Sequence, residues 1–369
     1  MKLHTLPRAA MSVAAVAAVL ALGATADVTL PTTAHAAAGV QLSAADTDTD
    51  TDPVVAEKST LISAGEGGFL YQAKGGSGYL WHKIGNSDQE AVPALDGVPL
   101  ASIAGAREEY DRVGYTSTNA DGTTQATWVN ISDGRQLGFT VPSGYQNPQL
   151  VNGVVVATVP AADGSGTPTY RIARNVSQPA PLDYPIALPA GATAESTPVI
   201  LALYNTHFVI RWQQNGQAAY GYVDEITGAV SVLPVTGEAS SFGVTSDWIS
   251  WYSHQGTPGV RFLKADYPGA LPGVLPLDTQ SATSDVTVLM VGNNFVWYEG
   301  ASGPLHLVPL VGPETPRTLV ANAEQLMPSR DSDLYAIGTD ADGNRAIYQI
   351  TVDGSELVFS YPMQQLPAD

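Results

Sequence analysis

The chain has no cysteine among its 369 residues. That excludes a disulfide scaffold, zinc or iron–sulfur sites built on thiolates, and thiol catalysis. Positive charge is scarce: 16 Lys and Arg stand against 35 Asp and Glu, a formal charge of −19. Without a basic cluster there is no electrostatic footprint for a phosphate backbone, so nucleic acid is not expected as a partner. Anionic lipid surfaces are disfavoured for the same reason. Helical periodicity is also missing. The nearest candidate is Ala101–Tyr110, and it is short. What the chain has is apolar content, 44% of its residues, enough for a large core. It also has 36 Gly and 26 Pro to punctuate short elements.

The N-terminus reads as an export signal. Lys2 and Arg8 supply a positive start, and Ala9–Ala26 carries no charge. Ala34-His35-Ala36 places small residues where signal peptidase reads them, so cleavage is expected after Ala36, with Ala37 opening the mature chain. The apolar run is only about 16 to 18 residues and is rich in Ala, weak for a membrane span. No later segment is long and apolar enough, so no span is expected after cleavage. Residues 37–60 read as an acidic, disordered linker centred on Asp46-Thr47-Asp48-Thr49-Asp50-Thr51-Asp52-Pro53. Asp46, Asp48, Asp50 and Glu57 fall at calcium-loop positions, but Thr51 replaces the Gly such a loop turns on.

From Leu61 onward apolar residues alternate with polar ones between Gly, Asn, Asp and Pro breaks, as in half-buried strands. The clearest unit is 197–237. Val199–Tyr204, His207–Gln213, Gln217–Val223 and Ala229–Val235 are four strands, joined by turns at Asn205-Thr206, Asn215-Gly216 and Thr227-Gly228. Asn-Gly is favoured in two-residue hairpins because both central residues need positive φ. The second strand of successive units starts near Phe69, Val113, Val154, Phe208, Trp248, Phe295 and Leu334. These starts are spaced by roughly 39 to 54 residues. Turns recur after that strand, as at Asp121-Gly122, Asn215-Gly216, Gln255-Gly256 and Asp342-Gly343. An apolar residue and Pro often close the fourth strand, as in Val141-Pro142, Leu233-Pro234 and Leu275-Pro276. Pro has no N–H for a ladder and suits an outer edge. The expected fold is all-β: a seven-bladed β-propeller of four-stranded antiparallel blades over residues 61–365, following the signal peptide at 1–36. Two stacked sandwiches are the alternative architecture.

On this blade period and these turns, the chain resembles secreted seven-bladed propellers of the broad TolB-like and YVTN-like superfamily, particularly exported proteins of high-GC Gram-positive bacteria. The resemblance implies a secreted, extracellular protein and supplies no catalytic residue. The periodic Trp-Asp and Gly-His features of the best-known propeller repeat are absent.

Candidate chemistry is sparse. Gly75-Gly76-Ser77-Gly78-Tyr79 lacks the last Gly of an esterase elbow. His82, His207, His254 and His306 show no zinc spacing, and no cofactor or metal is expected. Asp340-Ala341-Asp342-Gly343-Asn344 reads as a plain hairpin turn. His254 differs from the other histidines because it precedes the Gln255-Gly256 hairpin, on the face where second-to-third-strand hairpins and blade links gather. Glu195, Glu238, Asp285 and Glu324 fall in links on that same face. His254, Asp285, Glu324 and Glu238 are therefore the binding candidates at the channel mouth. Glu108-Glu109-Tyr110-Asp111 reads as a solvated turn. Trp81, Trp128, Trp212, Trp248, Trp251 and Trp297 lie in expected strands, where packing between blades is the simpler role and a sugar platform the sharper one. The expected function is a non-catalytic binding or scaffolding propeller, monomeric, recognising an extracellular protein, a peptide or a cell-wall glycan. The alternative is an extracellular lyase or hydrolase using His254 and nearby carboxylates.

Overall fold

The computed structural model describes residues 61–65, 68–72, 78–83, 89–104, 112–131, 133–161, 166–174, 181–277, 286–310, 316–328, 334–343 and 345–361. The signal and linker expectations, with Ala36 and Ala37, lie outside these residues. So do Asp285 and the 108–111 turn.

The first sheet orders β1 (Leu61–Gly65), β2 (Gly68–Gln72), β3 (Tyr79–Lys83) and β4 (Gln89–Ala91). A 3-10 turn at Pro93–Leu95 and the helix α1 (Leu100–Ala104) follow. The second sheet has three described strands, β5 (Arg112–Thr118), β6 (Thr124–Asn130) and β7 (Gln136–Thr140). The third comprises β8 (Gln146–Val151), β9 (Val154–Val159), β10 (Thr169–Arg174) and β11 (Leu182–Pro185). In the fourth, β12 (Ala192–Thr193) and β13 (Val199–Tyr204) both pair β14 (His207–Gln214), followed by β15 (Gln217–Asp224) and β16 (Val230–Val232). The fifth holds β17 (Ala239–Val244), β18 (Trp248–Ser253), β19 (Gly259–Lys264) and β20 (Gly273–Pro276). The sixth runs β21 (Val286–Val291), β22 (Asn294–Glu299), β23 (Gly303–Pro309), β24 (Arg317–Pro328), β25 (Leu334–Thr339), β26 (Arg345–Ile350) and β27 (Ser355–Tyr361).

The seven second strands start within one residue of their expected positions, at β2, β5, β9, β14, β18, β22 and β25. The count of separate sheets does not follow: there are six, not seven. The cause is β24, which is 12 residues long. Its first half pairs β23 through Arg317, Thr318 and Val320, and its second half pairs β25 from Ala323 to Pro328. No turn separates the two halves, so the last two expected units are fused into one seven-stranded sheet. The expectation of an all-β chain is also modified locally by α1, where Leu100–Ala104 coils once beside β5.

Inner strands stand side by side in a ring: β8 beside β13, β13 beside β17, β17 beside β21, β21 beside β24, and β24 beside β1. The cores lie between sheets. Val154, Tyr170 and Ile172 of the third sheet pack with Phe208, Ile210 and Trp212 of the fourth. Val209 and Tyr220 of the fourth pack with Phe242 and Trp251 of the fifth. Tyr252 and Val260 of the fifth pack with Val288 and Phe295 of the sixth. Because each sheet packs on both faces, its second strands are buried almost continuously, as in β9, β18 and β25, rather than on alternate residues as the sequence reading expected. Five of the six Trp are buried in these cores, and Trp248 is half-buried. Trp212 packs against Gly221: a Cβ there would sit 2.6 Å from the indole ring. The tight hairpin after β14 forms as expected, with Asn215 at φ 52° and Gly216 at φ 77°.

Candidate functional site

In each meander the hairpin between second and third strands lies at the same end as the link that enters the next inner strand. In the fourth sheet this follows from register: Val199 at the start of β13 pairs Arg211, near the end of β14. The Asn215-Gly216 hairpin and the link through Glu195 therefore share one face.

Tyrosine hydroxyls tie these links to the sheets. Tyr79 of β3 donates to the Val98 carbonyl at 2.6 Å, in the link leaving the first sheet. Tyr170 of β10 accepts from the Glu195 N–H at 2.8 Å and donates to the Arg211 carbonyl at 2.9 Å. Tyr220 of β15 accepts from Ala239 N–H at 3.4 Å. Within the fused sheet, Tyr298 of β22 donates to the Glu324 carbonyl of β24 at 2.9 Å. Burial pushes the Tyr170 hydroxyl well above the usual phenol range, so it stays protonated and keeps its donor.

Glu195 sits at the centre of a built network. Arg211 Nε and Nη2 each donate to its carboxylate at 2.9 Å, a bidentate pair. Gln213 Nε2 adds a third bond at 3.0 Å. Thr158 Oγ1 holds the Glu195 carbonyl at 2.7 Å. The Glu195 side chain is 15% exposed and that of Arg211 is 37%. Hydrogen bonding to Glu195 raises the Arg211 pKa above its ordinary value. This carboxylate is committed to β14 of its own sheet, while the Glu195 backbone, held by Thr158 and Tyr170, joins the link to the third sheet.

Glu238 and His254 have a different setting. Ala239 of β17 pairs Ser253 of β18. Glu238 and His254 are the next residues outward on those two strands, so the register sets them opposite each other at the edge of the face. Both are exposed. The His254 ring stands edge-on to buried Tyr252, with centroids 4.8 Å apart. The hairpin that follows is held by Arg261, whose Nη2 donates to the Gln255 carbonyl at 2.9 Å and the Thr257 carbonyl at 2.8 Å. Gln255 in turn lies against Gly237, where a Cβ would overlap its amide. Link and hairpin thus support each other beneath Glu238 and His254.

The four channel-mouth candidates do not form one cluster. Glu238 and His254 neighbour each other. Glu324 is half-buried in β24, in the sixth sheet, and Asp285 lies outside the described residues. His207 lies at the opposite end of its sheet and stacks on Tyr222 at 4.8 Å. His82 is buried and stacks on Phe69 at 5.0 Å. His306 packs on Trp297 at 4.6 Å. Burial lowers the pKa of both His82 and His306. Asp340 uses its own carboxylate to accept from the Asp342 N–H at 2.9 Å, as a hairpin turn does. Among the described residues, no group of three His, Asp or Glu is placed to hold a metal. The sequence reading missed Arg211, Gln213 and the link tyrosines. The tyrosines did carry a signal, because Tyr79, Tyr170 and Tyr220 all lie in third strands.

No protein-family model matches the chain, and no curated protein does. Solved structures do match. A prolyl endopeptidase aligns at TM-score 0.54 and 16% identity, over 82% of this chain and 50% of that one. The β-propeller domain of the Trilobed protease from Pyrococcus furiosus aligns at 0.51 and 8% identity, over 85% of this chain and all of that one. The fold is a β-propeller. TolB from Acinetobacter baumannii also matches, at TM-score 0.37 and 12% identity over 68% of this chain and 69% of that one, too low to argue from. The propeller spans about half the length of the prolyl endopeptidase. No helix among the described residues is long and apolar enough to cross a membrane.

Proposed function

We propose that this propeller is a secreted, non-catalytic binding or scaffolding module that recognises an extracellular protein, a peptide or a cell-wall glycan through the loops of its link-bearing face. The observation that supports this reading is the tying of links by the hydroxyls of Tyr79, Tyr170 and Tyr220. A face whose loop stems are fixed before binding loses little conformational freedom on contact, which favours recognition. Exposed Glu238 and His254 stand on that face, over a hairpin held by Arg261. The acidic chain steers cationic partners, an attraction that weakens with salt.

The test is binding of the exported chain to isolated cell-wall glycan and to secreted proteins of the culture, at low and high salt. Capture that survives high salt and falls tenfold or more on Glu238→Gln with His254→Ala supports the reading. Capture unchanged by these substitutions, but lost on Tyr267→Ser at the far end of the fifth sheet, overturns it. N-terminal sequencing of the exported protein tests the cleavage after Ala36.

The placement of Glu238 opposite His254 favours the second reading, a propeller-type lyase or hydrolase, because a carboxylate beside an imidazole suits proton transfer. Turnover of glycan, ester or lactone substrates that His254→Ala abolishes would establish it in place of the first.

A further inference from the structure

Among the described residues, each sheet ends in an outer strand that is paired on one side only. The other side presents backbone N–H and C=O groups, a template for a further strand unless the sequence blocks pairing. Most of these outer strands are blocked. β4 has three residues, one of them Glu90. β11 carries Asp183 and ends in Pro185. β16 has three residues. β20 follows Pro272 and ends in Pro276. β27 carries Glu356. β7 is the exception: Gln136-Leu137-Gly138-Phe139-Thr140 has five residues, no charge and no Pro.

The bonds of β7 to β6 fix which groups face outward. Asn130 N–H donates to the Arg135 carbonyl at 2.9 Å, and Val141 N–H donates to the Thr124 carbonyl at 2.9 Å. In an antiparallel pair such bonds fall on every second residue, so Leu137 and Phe139 bond inward to β6. The N–H and C=O groups of Gln136, Gly138 and Thr140 therefore point outward. Leu137 is 54% exposed. Phe139 is half-buried and stacks on Trp128, with ring centroids 5.7 Å apart. One side of the strand is thus an apolar stripe that reaches the edge. The flanking charges offset each other, because Arg135 Nη2 meets the Asp133 carboxylate at 3.5 Å.

We infer that two copies of this chain pair through β7, antiparallel about a two-fold axis at Gly138. That register sets Gly138 opposite Gly138 of the second copy, Gln136 opposite Thr140, and Leu137 opposite Phe139. All the outward groups then meet as ladder pairs, about six hydrogen bonds. Leu137 and Phe139 of both copies continue one apolar stripe across the junction. A bare Gly at the centre lets the two backbones approach closely. A foreign strand would have to match this alternation, whereas a second copy matches it by symmetry. Charge points the same way. A chain of formal charge −19 repels its like over most of its surface and draws cations, but β7 offers a cation nothing to pair with. Five residues a side are far fewer than the roughly 20 to 30 of a stable interface, so the pairing is weak and reversible. Where the sequence reading expected a monomer, this edge leads to a dimer at high concentration. The inference is independent of what the link-bearing face binds.

Sedimentation equilibrium of the full chain, from about 10 μM to about 1 mM, reads the pairing. The expected result is monomer at the low end and mostly dimer at the high end. Salt should favour the dimer, because screening removes the repulsion between acidic copies. A cationic partner of the link-bearing face shows the opposite salt dependence, which tells the two apart. Leu137→Lys gives β7 the kind of charge that blocks an edge, and Thr140→Pro deletes one outward N–H. Each should weaken dimerisation about tenfold or more, while Leu182→Lys on β11 leaves it unchanged. Gly138 is left alone, because a Cβ there would sit 2.6 Å from the Ala126 carbonyl. Amide exchange by NMR on the unsubstituted chain reads the register. The N–H groups of Gln136, Gly138 and Thr140 should exchange about threefold more slowly at the high concentration, while those of Leu137 and Phe139 are protected at both. A monomer at every concentration and salt overturns the inference. So does a dimer that both variants leave intact, or exchange at the three outward amides that does not change. A chain that stays monomeric, but whose outward amides slow on adding a synthetic peptide of residues 134–142, also overturns it and assigns the edge to a foreign extended strand.

Discussion

Replacing Arg211 by Met probes the most fully built part of the link-bearing face. The substitution keeps the aliphatic stem and removes two N–H donors that meet Glu195 at 2.9 Å. A hydrogen bond to a charged group contributes about 1.5 to 3 kcal/mol. Two such bonds do not add here, because the Arg211 side chain is 37% exposed and solvent screens it. Glu195 is left 15% exposed, with Gln213 still donating at 3.0 Å, so its charge is not stranded. The expected cost is about 2 kcal/mol, or a melting temperature lower by about 4 °C for a chain of this size. Glu195→Gln keeps the shape and removes the charge, at a cost of about 1 kcal/mol. If the pair acts as a unit, the double variant loses about 2 kcal/mol rather than 3, a coupling near 1 kcal/mol. Urea titration followed by tryptophan fluorescence reads all four proteins, since Trp212 is buried next in sequence to Arg211. A shift below about 0.5 kcal/mol for Arg211→Met, or strict additivity in the double variant, refutes the assignment of this ion pair as the tie that fixes the link to β14.

Gly221→Ala places a methyl 2.6 Å from the Trp212 ring and 2.7 Å from Val230 Cγ1, and is expected to cost about 1 to 3 kcal/mol in a thermal melt. Trp212→Phe in that background should recover part of the loss. His82 and His306 have pKa values lowered by burial, so the unfolded chain binds more protons than the folded one once pH falls below about 6.5. Their contribution is fully present above that pH and is lost as pH falls further toward the folded values. Melting temperature should therefore decline between pH 7.5 and 5.5, and His306→Gln should flatten that decline. Gly237 has φ 71° and its Cα faces the Gln255 amide, so Gly237→Ala is expected to cost about 1 to 2 kcal/mol. The accompanying sign is faster amide exchange at 254–258, read by mass spectrometry.

The strand order of this protein was legible because turn chemistry repeats. Asn215-Gly216 marks one hairpin, and the seven second strands could be counted from such marks and from apolar alternation. The fusion at β24 was not legible. Nothing in Arg317–Pro328 alternates differently from two strands in succession, and only pairing partners reveal that one strand serves two neighbours. The candidate site was legible in part. The face was readable from the order of hairpins and links, which placed Glu195, Glu238, Glu324 and His254. Their division into committed and exposed groups was not, because Arg211 and Glu195 are 16 residues apart in sequence and meet only where the link folds back onto β14. The opposition of Glu238 and His254 follows from ladder register, which a bulge between Ser240 and Gly243 shifts out of simple counting.

The sharing of β24 also bears on synthesis. Each earlier sheet is assembled from neighbouring segments, so it can gather as the chain leaves the ribosome, with little loop-closure cost. β21, β22 and β23 cannot complete their sheet in the same way. Their closing strand is also the opening strand of β25–β27, and its second half stays unpaired until those strands arrive. The sheet from β21 to β27 is thus obliged to fold in one concerted step. A truncation after β24 would leave an apolar edge bare, the kind of edge that recruits a neighbouring chain.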